Sequence, residues 1–324
     1  MGKLIADKFK AWERECNARF ERLKSNEEAL NRIFIDIYGV HDEMTSDVEE
    51  DQVTVRKADL AREIKSLISY AVGCMFGRYS LDKDGLCYVG GAFGELFTVV
   101  PVQSEDGKAQ RTLCYLKEVA ENSNVSSHFG VVADNILPIT DDEYFADDIV
   151  DRFVEFVRIA YGDDTLEENL RFVADALGGK GEARYVIRNY FLKGFYADHL
   201  KLYQKHPIYW MFSSGRKNGF KCLIYMHRYQ SDTLARIRTD YVHELQARYR
   251  ARISDTEAMI CRCPEGDAER LGKQLKKLQD QAEELCRYEE KLQYLSDQMI
   301  EIDLDDGVKV NHAKFSDVLV ALGH

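Results

Sequence analysis

HPIYWMFSSGRKNGFKCLIYMHRY, residues 206 to 229, is the stretch whose reading decides the fold. Pro207 cannot continue a helix, and the residues after it, Ile208, Tyr209, Trp210, Met211 and Phe212, favour a pleated strand. Ser213-Ser214-Gly215 breaks that strand and Phe220 to Tyr225 resumes it, so the segment reads as strand, basic turn, strand. The connection from Ser213 to Gly219 is longer than a two-residue hairpin loop. It carries Arg216, Lys217 and Asn218 between two glycines, with Lys221 and Arg228 close behind. Cations at the tip of an aromatic-backed hairpin suit phosphate oxygens or base edges, because Arg and Lys reach guanine acceptors or backbone oxygens and Asn pairs with adenine. A solvated tip with no partner is the competing reading of any basic turn.

Working outward, 324 residues exceed one typical domain. The expected division is a helical segment over 1–80, an irregular β insertion followed by helices over 81–204, and the basic β-hairpin with a C-terminal helical hairpin over 205–324. A net charge of −12 and a pI near 5.3 argue, for the chain as a whole, against a nucleic-acid binder. The distribution says more than the total. From Lys205 to Ile253, 10 Lys and Arg stand against Asp232, Asp240 and Glu244, a net +7 that leaves −19 elsewhere. Eight scattered cysteines without repeated pair spacing, and no secretory leader, point to a reducing cytoplasm. Cys261-x-Cys263 lacks the second Cys or His pair of a structural zinc site, so no metal is expected. No apolar run approaches the ~20 residues of a membrane span, which predicts a soluble protein with no membrane partner.

Along the chain, Ile5, Phe9, Trp12, Cys16, Phe20 and Leu23 fall at helical spacing on one face. Ser25 followed by Glu28 reads as a capping box that opens a second helix carrying Leu30, Ile33, Phe34 and Ile37, ended by Gly39. Six acids in residues 42–51 read as a solvated loop. Thr54 opens a helix over 56–76, and short extended pieces at 86–89 and 96–102 follow, broken by a Ser-Glu-Asp-Gly turn at 104–107 and a polar loop at 122–127. Thr140 with Glu143 and Thr165 with Glu168 predict helices over 141–161 and 166–177, and a third helix reaches Gly194. Beyond the hairpin, Leu234, Ile237, Tyr241 and Leu245 mark the inner face of one helix. Leu271, Leu275, Leu278, Ala282, Leu285, Tyr288, Leu292, Leu295 and Met299 mark another at near-heptad spacing. Pro264-Glu265-Gly266 separates them, so an antiparallel helical hairpin is expected over 233–300, with a homodimeric coiled coil left open. The fold class is α+β, mainly α-helical.

Several chemistries lack their residues. An N-P-P-Y amino-methyltransferase site needs adjacent prolines around the flipped base, and the prolines at 101, 138, 207 and 264 never adjoin. Gly90, Gly91 and Gly94 lack the register of a nucleotide-binding loop, and Gly178-Gly179-Lys180-Gly181 lacks phosphate-loop spacing and reads as a helix C-cap. There is no Pro-Asp…Glu-x-Lys nuclease core, H-E-x-x-H or G-x-S-x-G, and Asp303-x-Asp305-Asp306-Gly307 fails the EF-hand pattern. His199, His206, His227 and His243 have no spacing that fixes a metal or a nucleophile, so they read as structural or surface histidines. No catalytic residue is assigned.

Five segments carry a resemblance: 26–40 (NEEALNRIFIDIYGV), 53–82 (VTVRKADLAREIKSLISYAVGCMFGRYSLD), 206–229, 238–250 (RTDYVHELQARYR) and 297–315 (DQMIEIDLDDGVKVNHAKF). They resemble the C-terminal part of the PglX-type adenine-specific DNA methyltransferases of bacteriophage-exclusion (BREX) defence, segments of which recur in fused restriction-modification enzymes. The resemblance implies the target-recognition region and helical C-terminal part, downstream of the cofactor and N-P-P-Y motifs. S-adenosylmethionine is therefore expected only for a complete methyltransferase, not for this chain. The leading expectation is a specificity module for double-stranded DNA in antiviral defence. Arg216, Lys217, Asn218 and Lys221 would be base or phosphate contacts, and Arg228, Arg236 and Arg238 supporting phosphate contacts. A rival expectation is a protein-interaction piece whose Leu271 to Met299 helix docks onto a methyltransferase core or another defence subunit. A self-sufficient enzyme comes third.

Overall fold

A computed structural model describes residues 4–103, 109–115, 129–262 and 264–322. The turn expected at 104–107, the loop expected at 122–127 and Cys263 lie outside the described residues. Helix accounts for 59% of the chain and strand for 8%, so the fold is α+β and mainly helical.

The hairpin is the central element. Tyr209–Ser213 and Lys221–Tyr225 pair antiparallel, with Tyr209 opposite Tyr225 and Ser213 opposite Lys221. A third strand, Leu137–Ile139, pairs with the other edge of Lys221–Tyr225, giving the order 137–139, 221–225, 209–213. That third strand has no counterpart in the sequence reading. It contains Pro138, which donates no ladder hydrogen bond and is tolerated because the strand is at the sheet edge. Because successive side chains of a strand point to opposite faces, the sheet serves two cores. Tyr209, Met211, Leu223, Tyr225, Leu137 and Ile139 join the cluster built on the N-terminal and middle helices. Trp210, Phe212, Cys222 and Ile224 join the cluster built on the C-terminal helices. Every residue from Cys222 to Tyr225 is fully buried, as a sheet covered on both faces requires.

In chain order the remaining elements are α1 (Ile5–Tyr38), α2 (Leu60–Met75), the short α3 (Phe93–Leu96), β1 (Phe97–Gln103) paired antiparallel with β2 (Ala109–Tyr115), and the 137–139 strand, β3. Then come α4 (Ile149–Tyr161), α5 (Leu166–Ala176), α6 (Ala183–Lys193), α7 (Phe195–Leu202), and the hairpin strands β4 and β5. A turn of α8 (Thr233–Arg236) runs through a π-type turn, Ile237–Val242, into α9 (His243–Ile260). The long α10 (Glu265–Ser296) and α11 (Val308–Ala313) are the last α-helices among the described residues.

The expected helical hairpin forms. Arg238 faces Glu289 while Gln246 faces Cys286, so positions rise on one helix as they fall on the other, and the chain turns near Pro264. Leu234, Ile237, Tyr241 and Leu245 are buried, and so are Leu278, Leu285, Tyr288, Leu292 and Leu295 of the heptad-like series. Met299, at the end of that series, is not; it lies beyond α10 and is about half exposed.

Three helix starts differ from expectation. The break at Ser25 is absent: α1 runs unbroken through it, and Glu28, which a capping box would turn back to Ser25, instead accepts the Val48 amide at 3.5 Å. α2 begins at Leu60 with the Asp59 carboxylate accepting the Arg62 amide at 2.7 Å, not at Thr54. α4 begins at Ile149, where Asp148 accepts the Val150 and Asp151 amides at 2.8 and 3.0 Å. Thr140 instead donates to the Asp142 carbonyl. Asp148 is buried and also holds the buried Arg188 guanidinium, so one carboxylate satisfies two obligations at once. The 178–181 glycines do form the expected C-cap. Gly178, at φ +75°, donates to Asp175 and lets the chain leave α5.

His199 is a structural histidine, as expected. Its Nε2 accepts the Tyr209 amide at 3.2 Å, and burial pushes its pKa down to about 3, so it stays neutral.

Candidate nucleic-acid interface

The tip between β4 and β5 is held by the helical hairpin. The Glu284 carboxylate of α10 accepts three hydrogen bonds from it: Ser214 Oγ at 2.8 Å, the Lys217 amide at 2.8 Å and the Gly219 amide at 3.0 Å. Gln281 donates to the Lys217 and Asn218 carbonyls, each at 3.2 Å, and Tyr249 of α9 donates to the Gly219 carbonyl at 2.8 Å. Each polar backbone group bound this way is one that water need not reach, so the loop has a fixed course. The two glycines follow from this contact. A Cβ on Gly219 would come 2.8 Å from the Gln281 carbonyl oxygen, and one on Gly215 would come 2.5 Å from Glu284 Oε2. Asn218 sits at φ +56°, a left-handed conformation that Asn adopts more readily than most residues.

The seven residues singled out from the sequence divide into four places. Arg216, Lys217 and Asn218 share the tip. Arg216 is exposed and has no acidic partner among the described residues. Lys217 is exposed but ion-paired, its Nζ 2.7 Å from Asp280, a contact that raises the lysine pKa and lowers that of the aspartate. The Asn218 side chain makes no hydrogen bond among the described residues.

Lys221 points elsewhere. Its Nζ donates to the Leu192 carbonyl at 2.8 Å near the C-terminus of α6, and burial lowers its pKa. Arg228 is buried, donating to the Phe76 and Ala133 carbonyls at 3.3 and 3.0 Å and lying 3.8 Å over the Phe93 ring. Burial drops its pKa to about 10, which still leaves it charged at neutral pH. Arg236 pairs with Asp232 at 2.9 Å and shares with Arg228, Tyr88, Phe93 and His227 the wall of a polar cleft of about 460 Å³. Arg238 reaches Glu289 of α10 at 2.5 Å, beside His243 at 3.3 Å from the same oxygen.

The local charge count therefore overstates the free positive charge. Of the ten cations between Lys205 and Ile253, Lys217, Arg236, Arg238, Arg248 and Arg252 sit on carboxylates, and Lys221 and Arg228 donate to carbonyls. Lys205, Arg216 and Arg250 have no ion pair among the described residues. The structure adds residues the sequence reading missed. Arg287, itself paired with Glu283, and Lys291 of α10 line a depression of about 430 Å³ together with Arg216, Lys217 and the acids Asp280, Glu283 and Glu284. Their signal in the sequence was the i, i+3, i+7 spacing of 284, 287 and 291 on one face of a helix already expected, but nothing local said that this face meets the hairpin.

Fold and site together define a mainly helical α+β segment that fixes one short, basic hairpin tip against a helical pair. No family model matches the chain. Over 94% of its length it is 42% identical to the adenine-specific methyltransferase PglX of Lacticaseibacillus casei (strain Zhang) and 38% identical to the adenine-specific methyltransferase BrxX of Escherichia coli O9:H4 (strain HS). It covers 24% and 26% of those proteins, so the chain spans about a quarter of the length of the curated relatives it matches. It is similar to a partial region of PglX- and BrxX-type methyltransferases, as the five motif segments led one to expect.

Among the described residues no helix is long and apolar enough to cross a membrane, and no group of three or more His, Cys, Asp or Glu side chains is placed to hold a metal.

Proposed function

We propose that this chain is the DNA target-recognition region of an adenine-specific methyltransferase of phage-exclusion defence, working in the cytoplasm on double-stranded DNA. The observation that carries the reading is the clamped tip. A loop whose backbone is bound by Glu284, Gln281 and Tyr249, and whose Arg216 has no acidic partner among the described residues, presents a cation from a fixed main chain, so that contact need order only the side chain and not the loop. Arg216 would supply a bidentate donor fork to a base edge and Asn218 an amide of the kind that pairs with adenine. Lys291 would lie along the phosphates, and Lys217, Arg287 and Arg236, each on a carboxylate, would offer weaker, partly neutralised contacts. Lys221, Arg228 and Arg238 act in this reading by holding the fold that positions the tip. S-adenosylmethionine and the base-flipping pocket would belong to the part of the enzyme outside this chain.

The reading is tested on a complete methyltransferase carrying this region, by DNA affinity and by the methylated positions. Arg216→Ala and Asn218→Ala should each weaken cognate binding roughly 5- to 150-fold, the range of a lost base contact, and change random-sequence binding much less. Lys291→Ala should weaken both about equally and lower the salt slope by about one. Unchanged cognate affinity and methylation pattern in both tip variants would remove the tip from recognition.

A further inference from the structure

α1 carries one apolar face along its whole length. At 100° per residue Ile5, Trp12, Cys16, Leu23, Leu30, Ile33, Phe34 and Ile37 fall within one stripe. The first half of that stripe is largely covered by the chain itself: Ile5 and Cys16 are buried, and Phe20 forms a small cluster with Val48 and Val53 against Leu23, while Trp12, between Ile5 and Cys16, stays partly exposed at 39%. Beyond Leu23 the covering stops. Leu30, Ile33, Phe34, Ile37 and Tyr38 are each more than half exposed, and Met44 beside them is too. Isolated exposed apolar residues need no explanation, but five on adjoining turns of one face form a contiguous patch of the kind that marks an interface.

Two observations say what covers it. The matched relatives carry about three quarters of their length outside the region this chain spans, so a large protein surface is available in the same molecule. Asp42, Glu43, Asp47, Glu49, Glu50 and Asp51, all exposed, follow the stripe, so the covering face would be apolar with a basic rim. The seam of α10, the other candidate for docking, is already filled by this chain's own residues.

We propose that Leu30, Ile33, Phe34, Ile37 and Tyr38 dock this region onto the remainder of the methyltransferase polypeptide. The inference rests on the chain acting as part of a methyltransferase, and not on the hairpin tip reading DNA. Its test needs no DNA and so can fail separately.

The test replaces the matched quarter of the Lacticaseibacillus casei relative with this chain and compares hydrogen exchange at Leu30 to Tyr38 in the joined polypeptide and in the chain alone. Exchange in the joined polypeptide should be at least tenfold slower. The double substitution Ile33→Asp, Ile37→Asp should restore the rate of the isolated chain, and the far-ultraviolet circular dichroism of the isolated chain should not change, because both side chains are exposed there. Equal rates in the two settings would overturn the proposal. So would protection in the isolated chain that grows with its concentration and is lost in the double variant, since a second copy would then be the occupant.

Discussion

α1 and α10, of 34 and 32 residues, are the longest helices among the described residues, and each carries a single apolar stripe. Their fates differ. α10 buries Leu278, Leu285, Tyr288 and Leu292 against α9 and the hairpin, while α1 leaves its stripe bare beyond Leu23. The periodicity is equally clear in both, so periodicity announces that a face will be covered without saying by what. α10 is folded back by the Pro264 break onto a helix encoded immediately before it, whereas the distal half of α1 has only an acidic loop following it.

The largest effect expected from this difference is on stability. Leu285→Ala removes a fully buried side chain and should cost about 2 to 5 kcal/mol in denaturant unfolding of the isolated chain, whereas Ile33→Ala should stay within about 0.5 kcal/mol. Comparable losses would mean that α1 is packed in solution and the contrast is false. Gly219→Ala comes next. Its Cβ would collide with backbone, the Gln281 carbonyl oxygen, so a loss of about 1 to 3 kcal/mol is expected, with faster hydrogen exchange across 214–219. Glu284→Ala strands the Lys217 and Gly219 amides. About 1 to 2 kcal/mol should be lost, and the salt bridge of Lys217 with Asp280 should remain.

The smallest effect is on pH dependence. At Glu289 burial favours the neutral acid, but the hydrogen bonds from Arg238 and His243 outweigh it and hold the pKa below the usual glutamate value. A depressed folded-state pKa means that the contribution is complete above the unfolded value of about 4.3 and is lost as pH falls through the lower folded value. Glu289→Gln should therefore flatten the acid limb of the stability curve by roughly half a kcal/mol, as befits a partly exposed pair. An unchanged limb would detach that pair from the contact of the π-type turn and α9 with α10.

The hairpin was legible because its signal is local: a helix-breaking Pro207, two β-favouring runs and a Ser-Ser-Gly break. The antiparallel helices were legible for the same reason, through two stripes and a proline. β3 was not, because three residues with a proline among them look like loop until β5 is there to pair with. Ser25 and Glu28 satisfied a capping rule yet sit inside a helix, since a capping box is a permitted interior sequence when the stripe continues on both sides. At the site, the tip residues were visible but the clamp on their backbone was not. Glu284 lies 65 to 70 residues from the atoms it binds, and no local spacing encodes that meeting.

The open edge of β4 is closed by a segment far along the chain: Ser213 donates to the Val318 carbonyl, Val320 donates to the Met211 carbonyl, and Leu319 bridges Phe212. Ribosomes deliver the chain in order. At a pace of about 5 to 20 residues per second, the hairpin waits on the order of 5 to 20 seconds before its covering segment is made. For that interval an apolar strand edge is exposed to any neighbouring nascent chain. The cell's exposure to misassembly of this protein is thus set by translation speed between codons 213 and 318 as well as by the stability of the finished fold.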